Sequence, residues 1–266
     1  MSEALLIGGG KRELRLHSPI LNAAGTLGFS DEAANLMDRS RLGAFVTNPV
    51  SAGPRSPAND GGAVRLESGV LLHSGLPNSG LAAVIRENRS RWRDLPCSLI
   101  VHVFDPTPQG VDRMLLRLEG EPAVDAVEVG LENQDFPHIQ AFAQVIAASE
   151  LPAILRLPLD CPLEGFLQAA DAGAPLISMG PPRGSLHNSR RLSISGRLYG
   201  PSLFPLALRK VQQLAPLLSV PLIAAGGASN RERVDALLAA GARAVMLDTA
   251  LWTHPVRLLQ QPASPP

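Results

Sequence analysis

The sequence predicts an α/β fold, a single (β/α)8 TIM barrel with an N-terminal β-hairpin. Three observations carry that expectation. Short apolar runs alternate with segments of helical spacing along the whole chain, the pattern of parallel strands joined by crossover helices. A Gly-Ala pair precedes an apolar run at Gly43-Ala44, Gly173-Ala174 and Gly241-Ala242, as though one βα unit were reused around the fold. The length, 266 residues, suits one closed barrel, which typically needs about 250. An open doubly wound sheet is the alternative. Residues 1–254 are assigned to the barrel and residues 255–266, ending QQPASPP, to a mobile tail.

Leu5 to Ile7, a triglycine and Glu13 to Leu16 read as the hairpin, because glycine supplies the positive dihedrals of a tight turn. Strands are expected at Ile20–Ala24, Ala44–Thr47, Ser98–Val103, Asp125–Val129, Ala153–Leu157, Leu176–Ser178, Leu222–Ala225 and Ala244–Leu247. Helices are expected at Asp31–Met37, from Ser79, and at Gln109–Leu118, Ile139–Ala148, Glu164–Ala172 and from Pro201. Ser229 and Glu232 have capping-box spacing, so a further helix begins near Asn230 and ends at Gly241. Two long connections are expected: 49–78, rich in Gly, Pro and Ser and read as a functional or partly disordered loop, and 180–200, which contains PPRG and SGRLYG.

Composition excludes several classes. Lys plus Arg equals Asp plus Glu, and aromatic residues are only 4%, so neither a nucleic-acid partner nor a stacking surface is implied. No apolar run approaches the roughly 18 residues of a membrane span, and no leader pattern opens the chain, so no membrane association and a cytoplasmic location are expected. Cys97 and Cys161 are too few and too far apart for a disulfide framework or zinc site, and the histidines show no metal spacing. No metal is expected. Only Lys11 and Lys210 are lysines, so chemistry needing a neutral lysine has few candidates.

His73-Ser74, Asp105, Glu132, Asp135 and Asp160 fall in loops expected at the C-terminal ends of the strands, where barrel enzymes carry their chemistry. His73 with Glu132 or Asp135 could form an acid/base pair; the plainer reading is solvated loop residues. Cys161 is the thiol on that face. The diglycine Gly226-Gly227 and Asp248-Thr249 follow the last two strands, where barrels commonly hold a phosphate.

The motifs SPILNAAGTLGF, LGAFVT, GLPNSG, VDAVEV, SGRLYGPSLFPLALRKV, AAGG and AVMLDTA, in this order from about Leu16 to Thr253, resemble the dihydroorotate dehydrogenase family, FMN-dependent barrels of pyrimidine synthesis. The resemblance implies an FMN flavoprotein oxidoreductase acting on a small molecule, in a homodimer or with an electron-transfer subunit. It implies a cofactor site made of Ala24, Gly25, Thr47, Asn48, Arg156, Gly196, Arg197, Gly226, Gly227, Asp248 and Thr249, and a substrate site including His73, Ser74, Asn78 and Asp135.

The sequence also departs from the family pattern. Asn48 stands where the family has a lysine, and Asn133 where it has the cysteine or serine base, and an amide cannot usefully accept that proton. The substrate-binding asparagines match Leu72, Gly130, Asp135 and Gly180. Arg156 keeps the positive charge of a family lysine, while two phosphate-site glycines are Arg197 and Asp248. Their opposite charges suggest that Arg197 and Asp248 pair across the phosphate cup. Altered or lost activity is therefore expected, with an active FMN oxidoreductase as the alternative.

Overall fold

The structure, a computed structural model, describes residues 5–7, 13–30, 32–33, 37–59, 62–187 and 193–253, with only the backbone at 5–7 and 133–134. The triglycine turn, most of the Asp31–Met37 helix and the 255–266 tail lie outside those residues. Strands β1 (Leu5–Ile7) and β2 (Leu14–Leu16) pair antiparallel, as the hairpin reading requires.

Eight parallel strands then close a barrel. They are β3 (Ile20–Asn22), β4 (Ala44–Val46), β7 (Ser98–Val103), β8 (Ala126–Gly130), β9 (Ala153–Pro158), β10 (Ile177–Gly180), β13 (Leu222–Ala225) and β14 (Ala244–Leu247). Each pairs with the next, and β14 closes on β3. Both faces of such a strand are buried, one in the barrel and one under helices, which is why the sequence shows apolar runs rather than alternation. The outer ring comprises α1 (Leu81–Arg93), α2 (Pro108–Glu119), α3 (Ile139–Ala148), α4 (Leu163–Asp171), α5 (Phe204–Leu214), α6 (Arg231–Ala239) and the short α7 (Ala250–Thr253).

Local chemistry sets the helix ends. Thr107 caps α2 by accepting the Gly110 N–H, and Pro108 sits at the first position, where its missing N–H costs nothing. At α6 the expected cap is corrected: Asn230, not Ser229, accepts the Arg233 N–H at 2.9 Å. An amide oxygen one residue later reaches the same free donors, so a capping-box spacing alone does not choose between them. Val234 and Leu237 on α6 are fully buried, and Gly241, at φ +112°, ends the segment in a backbone shape that a side chain would strain.

The two long connections are not loops throughout. Residues 49–78 contain the hairpin β5 (Gly62–Leu66) and β6 (Gly69–His73), and residues 180–200 contain β11 (Arg183–His187) and β12 (Ser193–Tyr199). Strand β12 pairs with β6, joining the hairpins into one antiparallel sheet ordered β11-β12-β6-β5. This sheet supplies one wall of the cleft at the C-terminal ends of β7 and β8.

Candidate functional site

The barrel mouth is floored by a buried ionic network. His102 and Glu128 are register partners on β7 and β8, and Arg156 and Ser178 are register partners on β9 and β10. All four are at least nine-tenths buried. The Glu128 carboxylate accepts from His102 Nδ1 at 2.6 Å and from Ser178 Oγ at 2.5 Å, and lies 3.7 Å from Arg156 Nη1. Burial would raise the Glu128 carboxyl, but the Arg156 charge and the bonds from His102 and Ser178 outweigh it and hold it below its usual range. Burial holds His102 below its usual range against the pull of Glu128. His102 is therefore a neutral imidazole, donating from Nδ1 and leaving Nε2 as an acceptor. Nε2 lies over Gly130, and both residues line a cavity of about 20 Å³ with Arg156, Gly180 and Arg197. That is room for about one water.

Above this floor opens a cleft of about 310 Å³, at the lower end of the range for small-molecule sites. His73, Ser74, Asp105, Glu132 and Asp135 all line it, together with Arg55, Leu72, Gly130, Gly196 and Arg197. The fold thus brings together the loop residues expected at this face, except Asp160, which is absent from the lining. Their partners differ from the expected acid/base pairing. Glu132 is held by Arg183 Nη1 at 2.7 Å and by Arg197 Nη2. Burial would raise its carboxyl, but Arg197 and Arg183 together hold it below its usual range, so it is a poor proton acceptor. Asp135 accepts the Glu132 N–H at 2.8 Å, and burial raises its carboxyl. Among the described residues, neither carboxylate bonds the His73 ring. Leu76, at φ +55°, is the one described non-glycine residue in the left-handed region, and it sits at the cleft wall.

Several expected site residues are committed to neighbouring backbone. Asn78 is buried, accepts from Gly80 N and Ser51 N, and donates to Leu76 O, tying the 51–53 and 76–80 segments together. It does not line the cleft. The Asn48 side chain accepts the Gly28 N–H at 3.3 Å. Thr47 Oγ1 accepts the His102 N–H, and Ala24 and Gly25 continue from β3 beside Pro49. Asn133 lies in the 3-10 turn Asn133–His138. Cys161 is buried, and desolvation pushes its thiol up to about 12, which disfavours the reactive thiolate.

The expected Arg197–Asp248 pair does not form. Arg197 turns to Glu132, while Asp248 is buried at the end of β14 and accepts from Thr249 N at 2.5 Å, Thr249 Oγ1 at 3.0 Å and Gly227 N at 3.4 Å. The reason is where β12 runs: Arg197 lies opposite Leu72 in the sheet over the cleft, facing the β8 loop. Burial raises the Asp248 carboxyl, against the Thr249 and Gly227 bonds. A phosphate does not fit this cup as it stands, because the carboxylate already takes its donors.

Sequence reasoning missed Glu128, Arg183 and Arg55. Glu128 carried a signal, a charge inside the apolar run AVEVG, since a buried acid must be paired. Arg183 and Arg55 carried none, because their places depend on strand pairings distant in sequence.

Comparison with known proteins bears on this arrangement. Residues 12–156, over half of the chain, match the family model for dihydroorotate dehydrogenase, and residues 202–254 match that for nitronate monooxygenase. Over 265 aligned residues the chain is 32% identical to the dihydroorotate dehydrogenase B (NAD(+)) catalytic subunit of Pelobacter propionicus, covering 91% of this chain and 86% of that protein. It is 31% identical to the corresponding subunit of Desulforudis audaxviator, covering 91% and 85%. The fold superposes on the crystal structure of Eimeria tenella DHODH in complex with ferulenol with a TM-score of 0.75, at 16% identity, over 95% of this chain and 82% of that one. By sequence the chain belongs to the dihydroorotate dehydrogenase family.

Proposed function

We propose that this barrel is a divergent dihydroorotate dehydrogenase-like protein whose oxidation of dihydroorotate is altered or lost, and which keeps a polar small-molecule cleft at its mouth. The observation that carries this reading is Glu132 fixed between Arg183 and Arg197 across the cleft. The reaction needs a base to take a proton from the substrate and a cation to hold its charge. Here the nearby carboxylate is neutralised by its own two arginines, and these arginines are in turn spent on it. Asn48 and Asn133 stand where the family carries its lysine and base, and neither amide replaces them. The cleft residues His73, Ser74 and Asp135 are the groups proposed to meet a ligand there.

A second reading, an active FMN-dependent oxidoreductase acting on dihydroorotate or another small molecule, is favoured by one feature. Glu128 fixes the His102 tautomer so that Nε2 faces the cavity as a neutral proton acceptor. A substrate reaching it would pass a proton to Nε2, and the resulting imidazolium would be stabilised by Glu128. Ala24, Gly25, Thr47 and Arg156 are the residues from which a flavin ring would be held in that case. The relatives are named catalytic subunits, so association with an electron-transfer subunit or a second copy is part of the proposal.

The test is direct. Purified protein supplied with FMN and dihydroorotate, with quinone, fumarate or NAD as acceptor, is expected to show no orotate formation above a protein-free control. Turnover that disappears in His102→Gln would replace the first reading by the second. Turnover indifferent to that change would overturn both.

A further inference from the structure

We propose that the Asp248 carboxylate is a built-in replacement for a phosphate, filling the cup formed by the loops after β13 and β14 and excluding the phosphate of FMN from this barrel. The cup lies where barrels hold phosphates, in the loops after the seventh and eighth strands. Three donors converge on it: the N–H of Gly227 from one loop, and the N–H and hydroxyl of Thr249 from the other. Convergent backbone N–H groups of this kind form an anion-binding concavity. The anion is already present and covalently attached. Gly227, at φ +71°, lets the loop approach this closely, because a Cβ there would meet Phe204 N, Gly200 O and Pro201 O within about 3 Å.

Charge, rather than space, decides the exclusion. Asp248 has no salt-bridge partner among the described residues; of the arginines nearby, Arg197 is held by Glu132, Arg156 lies beside Glu128, and Arg233 Nη1 donates to the Gly227 and Pro201 carbonyls rather than into the cup. A phosphate dianion beside a buried carboxylate would meet a repulsion that solvent screens poorly. Room exists next to the cup: Thr249 also lines a cleft of about 640 Å³ with Pro201, Ser229, Asn230 and Trp252. The inference rests on family membership and not on loss of turnover, so it can fail while the functional reading stands.

The experiment compares FMN with riboflavin, which lacks the phosphate, by fluorescence titration of the full chain. The wild type is expected to bind the two within about threefold of each other, whereas Asp248→Gly should prefer FMN by at least tenfold. Asp248→Asn removes the charge at nearly constant size and should gain a smaller preference, and it decides the matter if the glycine variant does not fold by circular dichroism. A tenfold FMN preference in the wild type overturns the proposal. So does an unchanged ratio in the folded variants, or no flavin binding by any of them.

Discussion

The barrel mouth, floor and cleft together, and the rim after β14 both hold carboxylates, but they stabilise them in opposite ways. Glu128 and Glu132 face guanidinium groups, and both are held below their usual range despite burial. Asp248 is held by backbone N–H groups and one hydroxyl, and burial raises it. The first arrangement makes each acid part of an ion pair whose members depend on each other. The second makes the acid a plug in a site shaped for an external anion. The comparison teaches that the same residue class marks a paired ionic network at the mouth and, on the proposal above, a cup filled by its own carboxylate at the rim.

The largest effect should come from breaking the floor. Glu128→Ala leaves Arg156 buried without a carboxylate and removes the partners of His102 Nδ1 and Ser178 Oγ. Loss of one member of a buried pair costs about 3–5 kcal/mol, so urea denaturation should show a loss of that size with an unchanged slope. Arg156 Nη2 already lacks a hydrogen-bond partner, so losing the carboxylate would leave this buried guanidinium still less satisfied. A loss below about 1 kcal/mol would mean that the network is not structural.

At the cleft the effect should be smaller. The Glu132, Arg183 and Arg197 side chains are each roughly a fifth to a third exposed, so water screens the triad. Glu132→Gln is expected to cost about 1 kcal/mol near neutral pH. The sign with pH follows from linkage. A carboxyl whose folded pKa is depressed contributes stability that is present above its unfolded value, near 4.3, and is lost as pH falls through the folded one. The wild-type advantage over the variant should therefore shrink below about pH 4. An advantage that is constant from pH 7 to pH 3 would show that the triad does not hold the charge.

Much of this fold was legible because its strands are short and fully buried. Ser98–Val103, Leu222–Ala225 and Ala244–Leu247 appear with the boundaries that their apolar runs suggest, as does the helix Ile139–Ala148. The sheet over the cleft was not legible. Strands β5 and β6 are joined through Glu67-Ser68, a weak turn signal, and β6 finds β12 more than a hundred residues away. The same distance hid the electrostatics of the site. Arg197 and Asp248 looked like partners because both replace glycines in one cup, yet the sheet carries Arg197 to Glu132, which spacing could not reveal. His73, Asp105, Glu132 and Asp135 were legible as a group because barrel topology alone sends them to one end.

The smallest effect, and the sharpest on the comparison, is the pH behaviour of Asp248. Its folded pKa is raised, so between the unfolded value, near 3.9, and the folded one the native state binds more protons than the unfolded chain. Native stability contributed by this group therefore rises as pH falls through that window, the reverse of Glu132. Comparing wild type with Asp248→Asn by urea denaturation from pH 7 to pH 4 should show the wild type gaining on the variant toward acid. A slope of the same sign as that of Glu132 would mean that the Gly227 and Thr249 donors outweigh burial. The contrast between rim and floor would then collapse, because both would hold their carboxylates below the usual range.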